Sequence, residues 1–293
     1  KAIINATGPW AGEVAKTLGI ELKTQIKLVQ GSHILVPKLF NGEHSYILEN
    51  TDGRIVFAIP YHNKTMIGTT EQDVSSINSK ITISAAERDY LLNVTNRYFE
   101  SRLQSEDIIY TWSGLRALKN DEQKNSTKIS REYVLELTKQ PAPCITIIGG
   151  KLTIYRKLAS DVIDKLKSVF PNVSKCSTDK ITLPGARTEE MLFSSYKEYA
   201  KHKYAWLTEE MLKHLLRTYG TLTEMVLKNC NNYKDLGIKF SKNLYQKEVD
   251  YLLTNEWATN SEDILWRRTK HGIYTNKNEK LKLEKYIRSV NAK

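Results

Sequence analysis

The spacing of apolar and polar positions changes along the chain and divides it into regions. From residue 21 to about 140, strand-like runs rich in β-branched and aromatic residues are separated by polar turns. This texture predicts an antiparallel sheet. Within it, Ser84 and Glu87 match a capping box and predict one helix crossing the sheet. After Pro184-Gly185, apolar residues recur at helical spacing to the end of the chain, so we predict a domain boundary close to residue 180.

Two separate segments predict pieces of an α/β unit. Residues 1–20 combine an apolar strand, a turn at Thr7-Gly8 and a short helix. In residues 141–179 an apolar strand at 144–148 runs into Gly149-Gly150, and a helical pattern follows. The predicted fold class is therefore α+β with α/β elements: part of an α/β domain, an antiparallel sheet and an all-α C-terminal domain.

Composition and charge restrict the function classes. The chain has 293 residues, and its apolar runs are far shorter than the roughly 20 residues that cross a bilayer. Lys and Arg number 44 against 33 acidic residues, a net charge of +11, which favours an anionic partner. The three cysteines show no CxxC spacing, so we expect neither a disulfide framework nor a zinc site, and a cytosolic location is the default. Because the chain opens at Lys1 on a buried strand, we expect it to be the later part of a longer protein.

The Gly149-Gly150-Lys151 turn is the clearest candidate for anion binding. Free N–H groups at a helix start stabilise negative charge, and two glycines let a ligand approach the backbone closely. The alternative is a tight turn with an exposed lysine. Taken alone, the sequence leaves both open.

Arg116 and Arg131 are candidates for binding a phosphate, because we expect Arg116 just after a strand end and Arg131 at the start of the next strand. Two such guanidinium groups can converge with bidentate geometry. The alternative is a pair of solvated arginines. His33 lies in an apolar strand and can accept a hydroxyl proton near neutral pH, although a hydrogen-bonded sheet histidine is the commoner case.

Other motifs are absent from the sequence. The five remaining histidines lie singly, without HExxH or HxH spacing, so we predict no metal. There is no GxGxxG, GxxxxGK[ST] or GxSxG. The basic tail at residues 277–288 has interleaved glutamates, which favours a solvated helix, and we predict no nucleic-acid partner.

The order of several segments resembles the FAD-dependent, membrane-associated glycerol-3-phosphate dehydrogenase family over nearly the whole chain. The segments are 5–10 (NATGPW), 31–37 (GSHILVP), 54–60 (RIVFAIP), 67–70 (IGTT), 113–118 (SGLRAL), 129–133 (ISREY), 149–157 (GGKLTIYRK) and 262–270 (EDILWRRTK). The sequence departs from the family pattern at Ala117, where proline is usual, and at Ile154, where threonine is common. Neither change removes a charged group.

The resemblance implies an FAD cofactor and oxidation of sn-glycerol 3-phosphate to dihydroxyacetone phosphate, with electrons passing to a membrane quinone. It assigns residues 1–20 and 141–179 to the FAD-binding domain, 21–140 to the substrate sheet and 180–293 to the helical domain. It also implies a cytoplasmic protein held peripherally on the inner membrane surface, and it allows a homodimer.

The resemblance further implies roles for individual residues. His33 would lie near the carbon that is oxidised, and Arg116 and Arg131 would bind the substrate phosphate. His33, Arg116 and Lys151 would be catalytic, with Lys151 stabilising charge that develops on the reduced flavin. The implied flavin contacts are Thr7, Gly8, Gly149, Gly150, Lys151, Leu152 and Thr153.

Two alternatives remain open from the sequence. The first is the related oxidase, which passes electrons to oxygen. The second is a non-catalytic fragment of the dehydrogenase, because in the family the glycine-rich pyrophosphate loop precedes the strand at which this chain begins.

Overall fold

The computed structural model describes residues 1–77, 81–120, 132–186 and 192–291. The chain forms two compact units, Lys1–Asp179 and Lys180–Lys293. Within the described ranges, no helix combines the length and the apolar character needed to cross a membrane.

A six-stranded antiparallel sheet dominates the first unit, as predicted, and its centre is the 11-residue strand β2. Strands β5 and β6 share one edge of β2, since β5 pairs with residues 33–36 and β6 with residues 28–30. Strand β7 takes the opposite edge, and β4 and β3 continue outward from β5. The strands are β2 (Ile26–Val36), β3 (Tyr46–Glu49), β4 (Ile55–Tyr61), β5 (Lys64–Gly68), β6 (Gln72–Val74) and β7 (Tyr110–Lys119).

Strand β7 is longer than the sequence predicts. We expected a strand end near Gly114, because glycine weakens a strand, but β7 continues to Lys119. The long partner β2 supplies paired backbone along this whole stretch, with Val29 opposite Arg116 and Gly31 opposite Gly114. Long-range pairing therefore overrides local propensity. The prediction that Arg116 follows a strand end was wrong, since Arg116 lies inside β7.

One helix, α2 (Ala85–Tyr98), packs on one face of this sheet, against Ile34, Ile67 and their neighbours. Its capping box is formed as predicted: Ser84 Oγ accepts from Glu87 N at 3.2 Å, and Glu87 Oε2 accepts from Ser84 N at 2.8 Å. Glu87 also accepts hydrogen bonds from Ser32 and Thr70, at 2.8 and 2.6 Å. The cap thus fixes α2 to β2 as well as starting the helix.

The rest of the first unit contains the predicted α/β elements. The strand at residues 134–138, predicted within the antiparallel sheet of residues 21–140, belongs to these elements instead, because its hydrogen-bond partner is the strand at residues 144–148. Strand β1 (Ile3–Asn5) pairs in parallel with β9 (Cys144–Ile148), and β8 (Val134–Thr138) pairs antiparallel with β9 on its other side. Ile4 of β1 is 46% exposed. Helices α1 (Ala11–Thr17) and α3 (Tyr155–Leu166) follow β1 and β9 along the chain.

The second unit is mainly helical, as predicted. Its core is a single cluster of buried apolar residues that includes Met211, Leu215, Leu252 and Ile264. A short antiparallel hairpin of β10 (Lys239–Ser241) and β11 (Leu244–Tyr245) is present in addition. The helices are α4 (Phe193–Lys203), α5 (Glu209–Tyr219), α6 (Thr223–Val226), α7 (Gln246–Asn255), a π-helix at Asp263–Arg268 and α8 (Lys277–Asn291).

Candidate active site

His33 lies on the face of the sheet opposite α2. Side chains alternate between faces along a strand, so Ile34 points towards α2 and His33 points away from it. His33 is paired across the sheet with Gly68 on one side and Trp112 on the other. A Cβ at residue 68 would lie 2.1 Å from Cδ2 of His33, so only glycine leaves room for the imidazole there.

The surroundings of His33 favour the neutral imidazole. Burial lowers the pKa of His33 below its ordinary value, and the positive charge of Arg116 lowers this pKa further. A neutral imidazole near pH 7 can accept a proton from a hydroxyl group. The site is therefore suited to general-base chemistry.

Arg116 belongs to the same face, because β-strand alternation places residues 112, 114 and 116 on one side of β7. Its guanidinium lies over Gly31, where a Cβ would be 3.0 Å from Nη2 of Arg116. Nη1 of Arg116 forms an ion pair with Glu71 at 3.3 Å, and the Arg116 side chain remains about one-third exposed. The structure thus brings a partly exposed cation and His33 to one face of the sheet.

An aromatic wall borders His33. The rings of Trp112 and Tyr61 pack edge to face with their centroids 5.6 Å apart, and the centroids of the Trp112 and Tyr110 rings are 5.1 Å apart. The pairing of β4, β5 and β2 places Tyr61 on the same face as His33. Apolar walls beside a few polar groups are typical of small-molecule sites.

Arg131, the second predicted phosphate ligand, lies outside the described residues. Its convergence with Arg116 stays a prediction.

The turn at Gly149-Gly150 follows β9 and lies beside β7. Both glycines have positive φ, +80° and +96°, which other residues rarely adopt. A Cβ at Gly149 would lie 3.0 Å from the carbonyl oxygen of Glu132 and 3.6 Å from that of Ala117. This turn therefore lies next to the residue that follows Arg116.

Lys151, Leu152 and Thr153 are all exposed, and Leu152 is 87% exposed. Leu152 opens a short 3₁₀ turn, Leu152–Ile154, which leads into α3. The predicted helix start at Leu152 is thus a 3₁₀ turn, and the α-helix begins at Tyr155. Backbone N–H groups at such a start are directed towards solvent or a ligand.

The 3₁₀ turn Gly8–Trp10, which directly follows Thr7, also lies next to β7. Gly8 has φ of +60°. The buried Asn5 holds this turn: its Nδ2 donates to the carbonyl of Ala11 at 2.8 Å, and its Oδ1 accepts from Thr7 Oγ1 at 2.7 Å. The two predicted flavin turns therefore both adjoin the strand that carries Arg116.

These residues fit the ring end of a flavin and lack the donors for its diphosphate. Two glycine turns with open backbone, a lysine and an exposed apolar side chain suit an anionic ring edge and its apolar face. The described residues hold no glycine-rich turn that leads from a parallel strand directly into an α-helix, which is the arrangement that binds a dinucleotide diphosphate. The described residues therefore fit the ring end of FAD and not its diphosphate.

Four residues that hold this site had no predicted role: Asn5, Gly31, Gly68 and Glu71. The glycines carried a signal, because glycine inside a strand often marks the close approach of another group. Asn5 and Glu71 carried none, since their roles depend on contacts made in the folded chain.

Comparison with known proteins gives two family matches. Residues 1–136 match the model described as FAD dependent oxidoreductase, and residues 176–292 match the C-terminal domain of alpha-glycerophosphate oxidase. A solved structure of the glycerol-3-phosphate dehydrogenase from Bacillus halodurans, complexed with FAD, superposes with a TM-score of 0.76 at 24% identity. It covers 98% of this chain, which spans 61% of that one, and it supports the fold. The fold and the first family match are thus similar to those of FAD-dependent oxidoreductases.

Curated relatives narrow the class. A glycerol-3-phosphate dehydrogenase of Pseudomonas aeruginosa is 42% identical over 99% of this chain and 57% of its own length. The aerobic glycerol-3-phosphate dehydrogenase of Escherichia coli K12 is 36% identical over 98% of this chain and 58% of its own length. The D-erythritol 1-phosphate dehydrogenase of Brucella abortus is 33% identical over 99% of this chain and 59% of its own length. The chain therefore spans less than two thirds of these relatives. Over nearly its whole length the chain is similar to glycerol-3-phosphate dehydrogenases, and its two parts match the FAD dependent oxidoreductase model and the C-terminal domain of alpha-glycerophosphate oxidase.

Proposed function

We propose that this chain carries the substrate sheet, one edge of the flavin site and the helical domain of an enzyme that oxidises sn-glycerol 3-phosphate to dihydroxyacetone phosphate. The observation that carries the proposal is the placement of His33 and Arg116 on one face of the sheet, whose strand β7 adjoins both glycine turns. In this proposal residues 1–20 and 141–179, together with β8, belong to the FAD-binding domain, the rest of residues 21–140 to the substrate sheet, and residues 180–293 to the helical domain.

Arg116 binds the phosphate of the substrate in this proposal, together with Arg131. The guanidinium is a fixed charge with donors that match phosphate oxygens. Glu71 and Gly31 hold it in place from two sides, by the ion pair and by leaving space for the group. This contact orients the substrate so that its secondary alcohol lies towards His33.

His33 accepts the proton of the C2 hydroxyl. Its lowered pKa keeps the imidazole neutral and ready for this step at physiological pH. FAD, when bound, would supply the hydride acceptor for C2. The residues that would hold its ring are Thr7, Gly8, Gly149, Gly150, Lys151, Leu152 and Thr153, and the Lys151 ammonium would stabilise the negative charge of the reduced flavin.

We further propose partners for the full-length enzyme, supported by the resemblance to the family. Electrons pass to a membrane quinone, and the enzyme is cytoplasmic and binds the inner membrane surface peripherally; a homodimer is the assembly to be tested. An assay of the electron acceptor distinguishes quinone from oxygen. Reduction of a soluble quinone without formation of peroxide supports the dehydrogenase, and formation of one peroxide per substrate oxidised supports the oxidase.

The test of the phosphate contact is steady-state kinetics of full-length Arg116→Gln with sn-glycerol 3-phosphate and with glycerol. The bound phosphate would cover the partly exposed Arg116, and loss of such a charge-assisted contact costs about 2 to 4 kcal/mol in substrate binding, so kcat/KM for the phosphorylated substrate falls about 30- to 1000-fold. Activity with glycerol changes little, because glycerol has no phosphate. The matched control is Arg88→Gln, an exposed arginine on α2 at the other face of the sheet. Equal losses with both substrates would remove Arg116 from the phosphate site.

A further inference from the structure

Three potential metal ligands meet in the helical unit, among residues that the proposed dehydrogenase site does not use. His214 lies on α5, Glu248 on α7 and His271 at the start of the 3₁₀ turn His271–Ile273. Nε2 of His214 lies 2.7 Å from Oε1 of Glu248 and 3.2 Å from Nε2 of His271. One ligand atom from each residue lies within 4.8 Å of the other two.

The cluster is deeply buried. Glu248 is 1% exposed and His271 is 4% exposed, and both lie beside the apolar core of this unit. A buried carboxylate is costly unless its charge and its lone pairs are compensated. Oε1 of Glu248 has two neighbours, His214 and the hydroxyl of Tyr219, which donates at 2.7 Å. Oε2 of Glu248 is buried without a hydrogen-bond partner among the described residues.

Hydrogen bonds alone do not pair every atom of the contacts between His214, Glu248 and His271. Nε2 of an imidazole has one in-plane direction, which holds either a hydrogen or a lone pair. Nε2 of His214 faces both Glu248 Oε1 and His271 Nε2, so a single N–H is shared between two acceptors. A cation between the three atoms accepts a lone pair from each and compensates the carboxylate charge.

We propose that His214, Glu248 and His271 bind one divalent transition-metal ion, with Zn²⁺ as the best match to two imidazoles and one carboxylate. Zinc takes such ligand sets at about 2.0 to 2.2 Å, which separates tetrahedral ligand atoms by about 3.3 Å. The separations of 2.7 and 3.2 Å are close to this value, so slight opening of the His214–Glu248 contact accommodates the ion.

Neighbouring groups orient the ligands as in other metal sites. The Tyr219 hydroxyl fixes the Glu248 carboxylate, and the backbone of His271 is held by Thr269 Oγ1 on its N–H and by Thr275 Oγ1 on its carbonyl, at 3.2 and 2.8 Å. The hydrogen bond from Tyr219 to the carboxylate is a typical outer contact of a metal ligand, and the two backbone contacts fix the chain at His271. An ion here would connect α5, α7 and the chain that follows the π-helix, and it would stabilise the folded unit by binding it selectively.

This proposal revises the sequence-based expectation of no metal. That expectation rested on histidine spacing along the chain, and His214 and His271 are separated by 57 positions. Only the packing of the helical unit brings them together.

The test uses full-length protein treated with EDTA and then dialysed. Zn²⁺ titration followed by thermal unfolding and by elemental analysis gives one ion per chain and a raised unfolding midpoint. Co²⁺ as a probe gives the visible absorption of a tetrahedral site. His271→Gln and Glu248→Gln each weaken Zn²⁺ binding by at least about 100-fold, since each removes one of three ligands. His202→Gln, an exposed histidine on α4, keeps wild-type binding.

Two results would overturn the metal site. One is wild-type protein whose unfolding midpoint follows pH but ignores Zn²⁺ and EDTA, which would show a network that shares protons only. The other is equal Zn²⁺ binding by His271→Gln and wild type. If a variant fails to fold, the titration of wild type alone still decides, because it reports stoichiometry and midpoint directly. None of these readouts depends on dehydrogenase activity, so the outcome is independent of the proposed function.

Discussion

Gly68→Ala tests whether the position of His33 matters for turnover. The added Cβ would lie 2.1 Å from Cδ2 of His33, whereas carbon atoms in contact are separated by about 3.5 to 4.0 Å. The imidazole must therefore move by about 1.5 Å. A misplacement of about 1 Å in an active site can cost about 100-fold in rate, and overpacking costs about 1 to 3 kcal/mol of stability.

The assay measures kcat and KM of the full-length enzyme with sn-glycerol 3-phosphate and an artificial electron acceptor, together with the free energy of unfolding in denaturant. We expect kcat to fall about 100-fold while KM changes little, because Arg116 keeps its place over Gly31.

Gly114→Ala is the matched control for stability. Gly114 lies in the same sheet, and a Cβ there meets no atom within 4 Å in the described structure. Because alanine restricts the unfolded chain, this variant should be at least as stable as wild type. The reasoning is refuted if Gly68→Ala retains kcat within about twofold of wild type, since the ring position would then be irrelevant to the rate-limiting step.

Three further predictions follow from the same residues. Burial and, to a lesser extent, the charge of Arg116 lower the pKa of His33, so kcat/KM should fall as the pH drops through that lowered pKa. Arg116→Gln removes the repelling cation, so the acid limb of the pH profile of kcat/KM should move to higher pH. An acid limb at the wild-type position would contradict the coupling of Arg116 to His33. Burial raises the pKa of Glu87, but hydrogen bonds from Ser84, Thr70 and Ser32 outweigh burial, and the pKa of Glu87 is lowered in the folded protein. The ionised Glu87 therefore stabilises the fold above its unfolded pKa of about 4.3, and this stabilisation is lost as the pH falls towards the folded pKa. Glu87→Gln should lower the free energy of unfolding at pH 7 by about 1 to 3 kcal/mol and flatten that acid dependence, as measured by denaturant titration at pH 7 and pH 4; equal stability of variant and wild type would refute it. Residues 1–293 expressed alone should be poorly soluble, lack stoichiometric flavin and show no dehydrogenase activity, because they supply ring-edge contacts without a diphosphate turn; a yellow, active preparation of this chain would contradict the partial fit.

Features determined by neighbouring residues were predictable from the sequence. The Ser84–Glu87 cap depends on residues three apart, and the strand, the glycine pair and the helix around Gly149 lie within one short stretch of sequence. Both are present in the structure. The apolar alternation around His33 likewise indicated a sheet, and the sheet is formed.

Features determined by distant residues were not predictable. Strand β7 passes through Gly114 because β2 pairs with it, and nothing near Gly114 in the sequence signals that partner. Glu71 meets Arg116 across 45 positions. The cluster of His214, Glu248 and His271 also arises only when three elements pack together. Local patterns therefore predicted elements, and tertiary pairing decided which side chains meet.

The most direct test of the central claim is single-turnover reduction of the flavin in the full-length enzyme, followed by bleaching of its absorbance after mixing with sn-glycerol 3-phosphate. The comparison is wild type, His33→Asn and Arg116→Gln. We predict that His33→Asn binds substrate normally but reduces flavin about 10²- to 10⁴-fold more slowly, because the base is lost. Arg116→Gln should need about 30- to 1000-fold more substrate to reach its maximal rate, because the phosphate contact is lost. Wild-type bleaching rates and wild-type substrate dependence in both variants would contradict the assignment of this sheet face as the active site.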